Sequence, residues 1–117
     1  MAFKFETLQV WNKSLDLSLL VQEIVISFPP YEIYNLSNQI RRAADSVVLN
    51  IAEGSTGQSN AEFTRFLRYA LRSAVEVVAC LFIAKKKAYI DTIIFEKAYT
   101  EYEILCKMIT KFEKSLK

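Results

Sequence analysis

Between Thr7 and Ser115 the apolar residues recur at steps of three and four, and only three short breaks interrupt the pattern. That periodicity is the core face of amphipathic helices, one after another. The first break is Phe28-Pro29-Pro30. Proline has no amide hydrogen and pushes the preceding residue out of the helical region. The second is the turn Ser55-Thr56-Gly57-Gln58, followed by Ser59-Asn60-Ala61-Glu62, a capping box that opens a new helix. The third opens with Ala88-Tyr89-Ile90 after Lys85, Lys86 and Lys87, cations suited to the negative end of a helix dipole, and Asp91 is placed to cap the fourth helix. The pattern predicts helices over about residues 7–27, 35–53, 60–86 and 92–115.

In the first helix, Leu8, Trp11, Leu15 and Leu19 read as one apolar side, widened by Leu17, Val21, Ile24 and Val25. In the fourth, Phe95, Ala98, Tyr102, Leu105, Ile109, Phe112 and Leu116 form a heptad seam. Short connections make successive helices antiparallel neighbours. The expected fold is therefore all-α: an antiparallel up-down-up-down four-helix bundle in a single domain, residues 1–117. Only two glycines and two prolines argue against an all-β fold, and 52% apolar residues argue against disorder.

Chemistry is more easily excluded than assigned. The chain has no histidine, the commonest general acid–base and transition-metal ligand. It has no glycine-rich phosphate loop, no Ser–His–Asp set and no CxxC. No enzyme activity, catalytic residue, metal or cofactor is expected. Cys80 and Cys106 lie in helical patterns with no nearby thiol or histidine and read as small buried hydrophobes. No apolar run reaches the roughly 18–20 residues that span a bilayer. The N-terminal residues do not form a basic-then-apolar leader, so a cytoplasmic location with no membrane partner is expected. The net charge of +2 does not by itself imply nucleic-acid binding.

The second helix carries two stripes. Leu36, Ile40, Ala43, Ala44, Val47 and Ile51 form the core face. Beside them run Gln39, Arg42, Ser46, Asn50 and Glu53, an amide, hydroxyl and charged set with no lysine. Solvated helix faces are usually Lys/Glu-rich, so this stripe reads as a hydrogen-bonded network. With Glu76 of the third helix it is read as a structural network in which a buried Arg42 pairs with Glu53 or Glu76. Ligand binding by Arg42, Glu53 and Glu76 is the alternative. Gly54 falls where a left-handed helix cap is wanted.

The third helix has a core face of Phe63, Phe66, Leu67, Ala70, Ala74, Val77, Leu81 and Ala84. Its outer side changes character midway. The first half presents Arg65, Arg68 and Arg72, a row about 10 Å long that suits consecutive phosphates. The alternative is a wet face, with Arg65 paired to Glu62 and Arg72 to Glu76. Tyr69 stands beside the row. The second half presents Val75, Ala79, Phe82 and Ile83, and Leu49 of the second helix also points away from its core stripe. A helix apolar all round needs cover on every side. These five residues are read as a homo-oligomer interface. A tilted helix buried within a monomer is the alternative.

Several segments carry a family resemblance: FETLQVWNKSLDL (Phe5 to Leu17), the FPP break, QIRRAA (Gln39 to Ala44), NIAEG (Asn50 to Gly54), FTRFLRYALRSAVEV (Phe63 to Val77) and Ala88-Tyr89-Ile90. Together they resemble the bacterial four-helix-bundle proteins first noticed as reading frames inside intervening sequences of 23S rRNA genes. The resemblance covers nearly the whole chain. It implies a homopentamer and a ribosome-associated or nucleic-acid-binding role. A related branch, the accessory variability determinant proteins of diversity-generating retroelements, binds nucleic acid and a reverse transcriptase, and is more basic than this chain. The family usually has glycine just before the serine matched by Ser73, where this chain has Arg72. Two functions are in contention: association with RNA or an RNA–protein complex through Arg65, Arg68 and Arg72, or a protein-interaction scaffold without nucleic-acid contact.

Overall fold

Residues 2–57 and 59–116 are described in a computed structural model of the chain. Among them are four α-helices, α1 (Gln9–Val25), α2 (Leu36–Gly54), α3 (Asn60–Lys86) and α4 (Thr92–Ser115), two short 3₁₀ turns (Lys4–Thr7 and Pro30–Glu32) and no strand. The long axis measures 43 Å, close to the roughly 40 Å that 27 helical residues span in α3. Helix α2 packs on α1 and α3, and α4 packs on α3 and α1. One apolar cluster draws on all four helices.

The helix ends follow local chemistry. Ser59 Oγ accepts the Glu62 amide at 3.1 Å and Asp91 Oδ1 accepts the Ile94 amide at 2.8 Å, opening α3 and α4. At the front of the chain, Leu8 is extended and caps nothing with its side chain, so α1 starts at Gln9 after the Lys4–Thr7 turn. At its far end, the amides of Ile26, Ser27 and Phe28 bond carbonyls three residues back, a 3₁₀-like tightening before Pro29. Helix α3 closes with Ala88 N–H on Lys85 O and Tyr89 N–H on Ala84 O, a Schellman motif. Ala88 holds the left-handed position at φ 62°, where glycine is usual.

Two sequence expectations are corrected here. Gly54 is not a left-handed cap. It is the buried last residue of α2, and the positive φ in the connection belongs to Gly57, at 91°. Gly54 is small for packing reasons: a β-carbon there would lie 2.7 Å from Phe66 Cβ. Gln58, the last residue of the expected turn, lies outside the described residues. The α1 core stripe also differs. Val10, Ser14, Leu17, Val21 and Ile24 are buried, whereas Leu15 and Leu19 are 39% and 57% exposed. Both sets repeat at helical spacing. Ser14 is admitted to the core because its hydroxyl donates to the Trp11 carbonyl at 2.7 Å. In α2, α3 and α4 the buried positions include Ile40, Val47, Ile51, Leu67, Val77, Leu81, Tyr102, Leu105 and Ile109.

Candidate functional site

The arginine row lies on the outside of α3, with Arg65, Arg68 and Arg72 all exposed. Their guanidinium groups are not equivalent. Arg65 Nη2 stands 3.5 Å from Glu62 Oε1, and its guanidinium sits 5.5 Å from the Phe66 ring centre. Arg68 leans onto α4, where its Nε donates to Glu113 Oε1 at 2.7 Å. This cross-helix pair leaves the terminal nitrogens of Arg68 without a partner among the described residues. Arg72 makes no ion pair among the described residues, so the Arg72–Glu76 pairing of the wet-face alternative does not form. Tyr69 is 41% exposed, with its ring edge-on to Phe66.

The polar stripe of α2 faces α3 and is only partly networked. Ser73 Oγ donates to Ser46 Oγ at 2.9 Å, Asn50 Nδ2 donates to Ser46 Oγ at 3.0 Å, and Gln39 Nε2 reaches Glu76 Oε2 at 3.4 Å. Arg42 and Glu53 are exposed, and neither forms an ion pair among the described residues. The expected buried pairing of Arg42 with Glu53 or Glu76 is thus not made within the chain. The guanidinium keeps its hydration, which an internal pair would have to repay. A cleft of about 530 Å³ opens between α2 and α3, lined by Tyr34, Asn35, Asn38, Gln39, Arg42, Ala43, Ser46, Ser73 and Glu76. A smaller groove of about 360 Å³ continues along α2 past Arg42, Ser46, Leu49, Asn50 and Glu53.

The five residues read as an interface are uncovered in the single chain. Leu49 and Val75 are 59% exposed, Phe82 52% and Ile83 43%, and Ala79 is exposed. Phe82 divides its surface: its ring packs on Phe95 at 4.9 Å and on Tyr99 at 6.1 Å, both of α4. The apolar exposure is broader than those five residues, because Ile26, Tyr31, Tyr34 and Ile93 stand out near the helix ends.

A buried carboxylate went unnoticed in the sequence. Glu32 is 2% exposed and ties the first helix connection to the last. Its Oε2 accepts the Tyr89 hydroxyl at 2.7 Å and lies 3.7 Å from Lys87 Nζ, while Oε1 accepts Asn35 Nδ2 at 2.9 Å and the Leu36 amide at 3.3 Å. The Tyr89 bond, aided by Leu36, Asn35 and Lys87 and opposed by burial, holds the carboxyl below its ordinary value. The same bond pushes the Tyr89 phenol up. The hint available in the sequence was position: an acid four residues before Leu36 meets the positive end of α2.

Burial pushes the Cys80 thiol up to about 11 and raises that of Cys106, so neither has the thiolate character of a reactive cysteine. No group of three His, Cys, Asp or Glu suited to a metal occurs among the described residues. No helix among them is long and apolar enough to cross a membrane.

Comparison with known proteins adds the family. The model described as 23S rRNA-intervening sequence protein matches residues 6–111. No curated protein matches the sequence. Among solved structures the chain is similar to a crystal structure of a protein with unknown function from the S23 ribosomal protein family of Bacteroides thetaiotaomicron VPI-5482. The two share 25% identity at a TM-score of 0.80, over 90% of this chain and 98% of that one.

Proposed function

The chain belongs to the 23S rRNA-intervening sequence protein family, and we propose from that membership that it is a non-enzymatic, cytoplasmic protein associating with RNA or a ribonucleoprotein through Arg65, Arg68 and Arg72. The observation that carries this reading is the exposed arginine row itself. Arg72 and the terminal nitrogens of Arg68 are free of carboxylates among the described residues, and guanidinium recognises phosphate oxygens bidentately. The helices are taken to run up-down-up-down. The Asn60 Nδ2 bond to the Leu116 carbonyl at 2.7 Å and the Ser27 Oγ bond to the Tyr89 carbonyl at 3.1 Å support that course. A closed homo-oligomer, a pentamer by family resemblance, covers Leu49, Val75, Ala79, Phe82 and Ile83 and repeats the arginine row with avidity.

The test is RNA binding by the assembled protein across a salt series. Affinity should fall steeply with salt, and each phosphate contact removed should reduce the log–log slope by about 0.7–0.9. Replacing Arg65, Arg68 and Arg72 together with Gln should lower binding and leave helicity and mass unchanged. Equal binding by parent and triple variant would sink the reading. A second reading, a protein-interaction scaffold without nucleic-acid contact, is favoured by the pairing of Arg65 with Glu62 and Arg68 with Glu113. It expects no RNA binding even at low salt.

A further inference from the structure

The cleft between α2 and α3 holds hydrogen-bond donors that meet no protein acceptor among the described residues. Arg42 carries five N–H groups and no carboxylate partner among the described residues. Asn38 is half-buried and its amide makes no side-chain bond among them. Ser46 Oγ accepts from both Asn50 and Ser73, which occupies its two lone pairs and leaves its own proton without an acceptor among the described residues. The one carboxylate on the lining, Glu76, receives only the 3.4 Å bond from Gln39. A surplus of donors around a guanidinium that pairs with no carboxylate among the described residues calls for an acceptor-rich anion. At the rim, Tyr34 is 91% exposed and offers a free aromatic face.

We propose that this cleft binds a mononucleotide, its phosphate held by Arg42 and Ser46, its base on Tyr34 and against the amides of Asn38 and Gln39, and its ribose hydroxyls on Glu76. Each part answers a feature of the lining. Phosphate satisfies guanidinium bidentately and takes a hydroxyl proton as well. Side-chain amides carry a donor and an acceptor side by side, the pattern that reads a base edge. A carboxylate accepts from vicinal hydroxyls, as acidic residues do in dinucleotide sites. A base stacks on tyrosine regardless of its identity. The volume of about 530 Å³ lies within the range of small-molecule sites. An inorganic anion alone would leave the amides and the ring unused. The proposal does not rest on the RNA reading, because none of Arg65, Arg68 and Arg72 lines the cleft.

The test is calorimetric titration of the full chain with AMP, GMP, CMP and UMP in turn, with inorganic phosphate and the matching nucleosides as controls. At least one nucleotide should saturate one site per chain, more tightly than phosphate and than its own nucleoside. Arg42→Gln should weaken that nucleotide about tenfold or more, the loss expected of one charge-assisted bond. Because Arg42 is exposed, melting temperature and mass should not move. Asn38→Ala should alter the preference among the four bases, a change that removing the anion contact alone would not produce. Four outcomes would overturn the proposal: no saturation by any nucleotide at millimolar concentration, phosphate binding as tightly as the nucleotides, undiminished binding by Arg42→Gln, or a changed mass in that variant, which would assign Arg42 to contact between copies. The salt-series RNA experiment reads a different set of residues, so either result can stand without the other.

Discussion

Substituting Gly54 distinguishes two reasons for a glycine at the end of α2. Helix propensity alone favours Gly54→Ala, by about 0.8–1.0 kcal/mol for a helical position with ordinary φ. Sterics oppose it. The new β-carbon would stand 2.7 Å from Phe66 Cβ and 2.9 Å from Phe63 Cδ1. Phe66 Cβ is fixed to the α3 backbone and cannot swing aside. Restoring an ordinary 3.4 Å contact needs α3 to retreat by about 0.7 Å at this point. Overpacking of that kind costs about 1–3 kcal/mol, so the net expectation is a loss of about 1 kcal/mol, or roughly 4 °C in Tm. Gly54→Asn is the informative partner. Its larger side chain should make it worse than alanine if close packing is the reason. If a left-handed cap were the reason, asparagine would be the better tolerated, since it adopts that conformation readily. Thermal and urea unfolding of both variants, followed by far-UV circular dichroism, gives the order. Asparagine outperforming alanine, or alanine exceeding the parent, would refute the packing argument.

Replacing Val75 and Ile83 with Glu places charge where the proposed interface would bury it. Light scattering should then fall from a mass several times 13.5 kDa to that of one chain, and a parent already monomeric at tens of micromolar would remove the interface altogether. Glu32 gives a pH dependence. Its folded carboxyl titrates below the ordinary 4.5, so the unfolded chain takes up the proton first as pH falls. Its contribution is complete above about pH 4.5 and is lost as pH drops through the folded value. The melting temperature of the parent should therefore exceed that of Glu32→Gln at neutral pH by a margin that shrinks in acid. A margin constant from pH 7 to pH 3 would contradict the assignment.

Helix number was legible because four long amphipathic patterns meet at breaks with strong local chemistry. The caps at Ser59 and Asp91 needed only the residues within three positions of them. What was not legible depended on distance. Leu15 and Leu19 are as well spaced as Leu17 and Val21, and only the position of the neighbouring helices decides which set is buried. The Arg68–Glu113 pair joins residues 45 apart, and the Tyr89–Glu32 bond joins residues 57 apart. No periodicity along one helix announces either. The polar stripe of α2 was recognisable as unusual, but composition did not say whether Arg42 would be paired or open. That answer depends on how closely α3 approaches.

The spacing of that approach links Gly54 to the cleft. At the Gly54 end of α2, the missing side chain lets the backbone close on Phe66. Midway, the small side chains of Ser46 and Ser73 touch through their hydroxyls at 2.9 Å. Toward the start of α2 the facing residues become Gln39 and Glu76, longer side chains joined by a 3.4 Å hydrogen bond, and both line the cleft with Arg42. Side-chain length along the α2 stripe thus increases from Gly54 through Ser46 to Gln39, where the cleft lies. Glu32 fixes the open end from outside it. It accepts from Asn35 and Leu36 where α2 begins and from Tyr89 just after α3 ends, so it joins the two helices there without filling the gap between them. A carboxylate clamp outside the cleft and the serine contact along its seam flank an opening whose wall carries a guanidinium with no ion-pair partner among the described residues. A site whose geometry is set before its ligand arrives does not have to order it on binding.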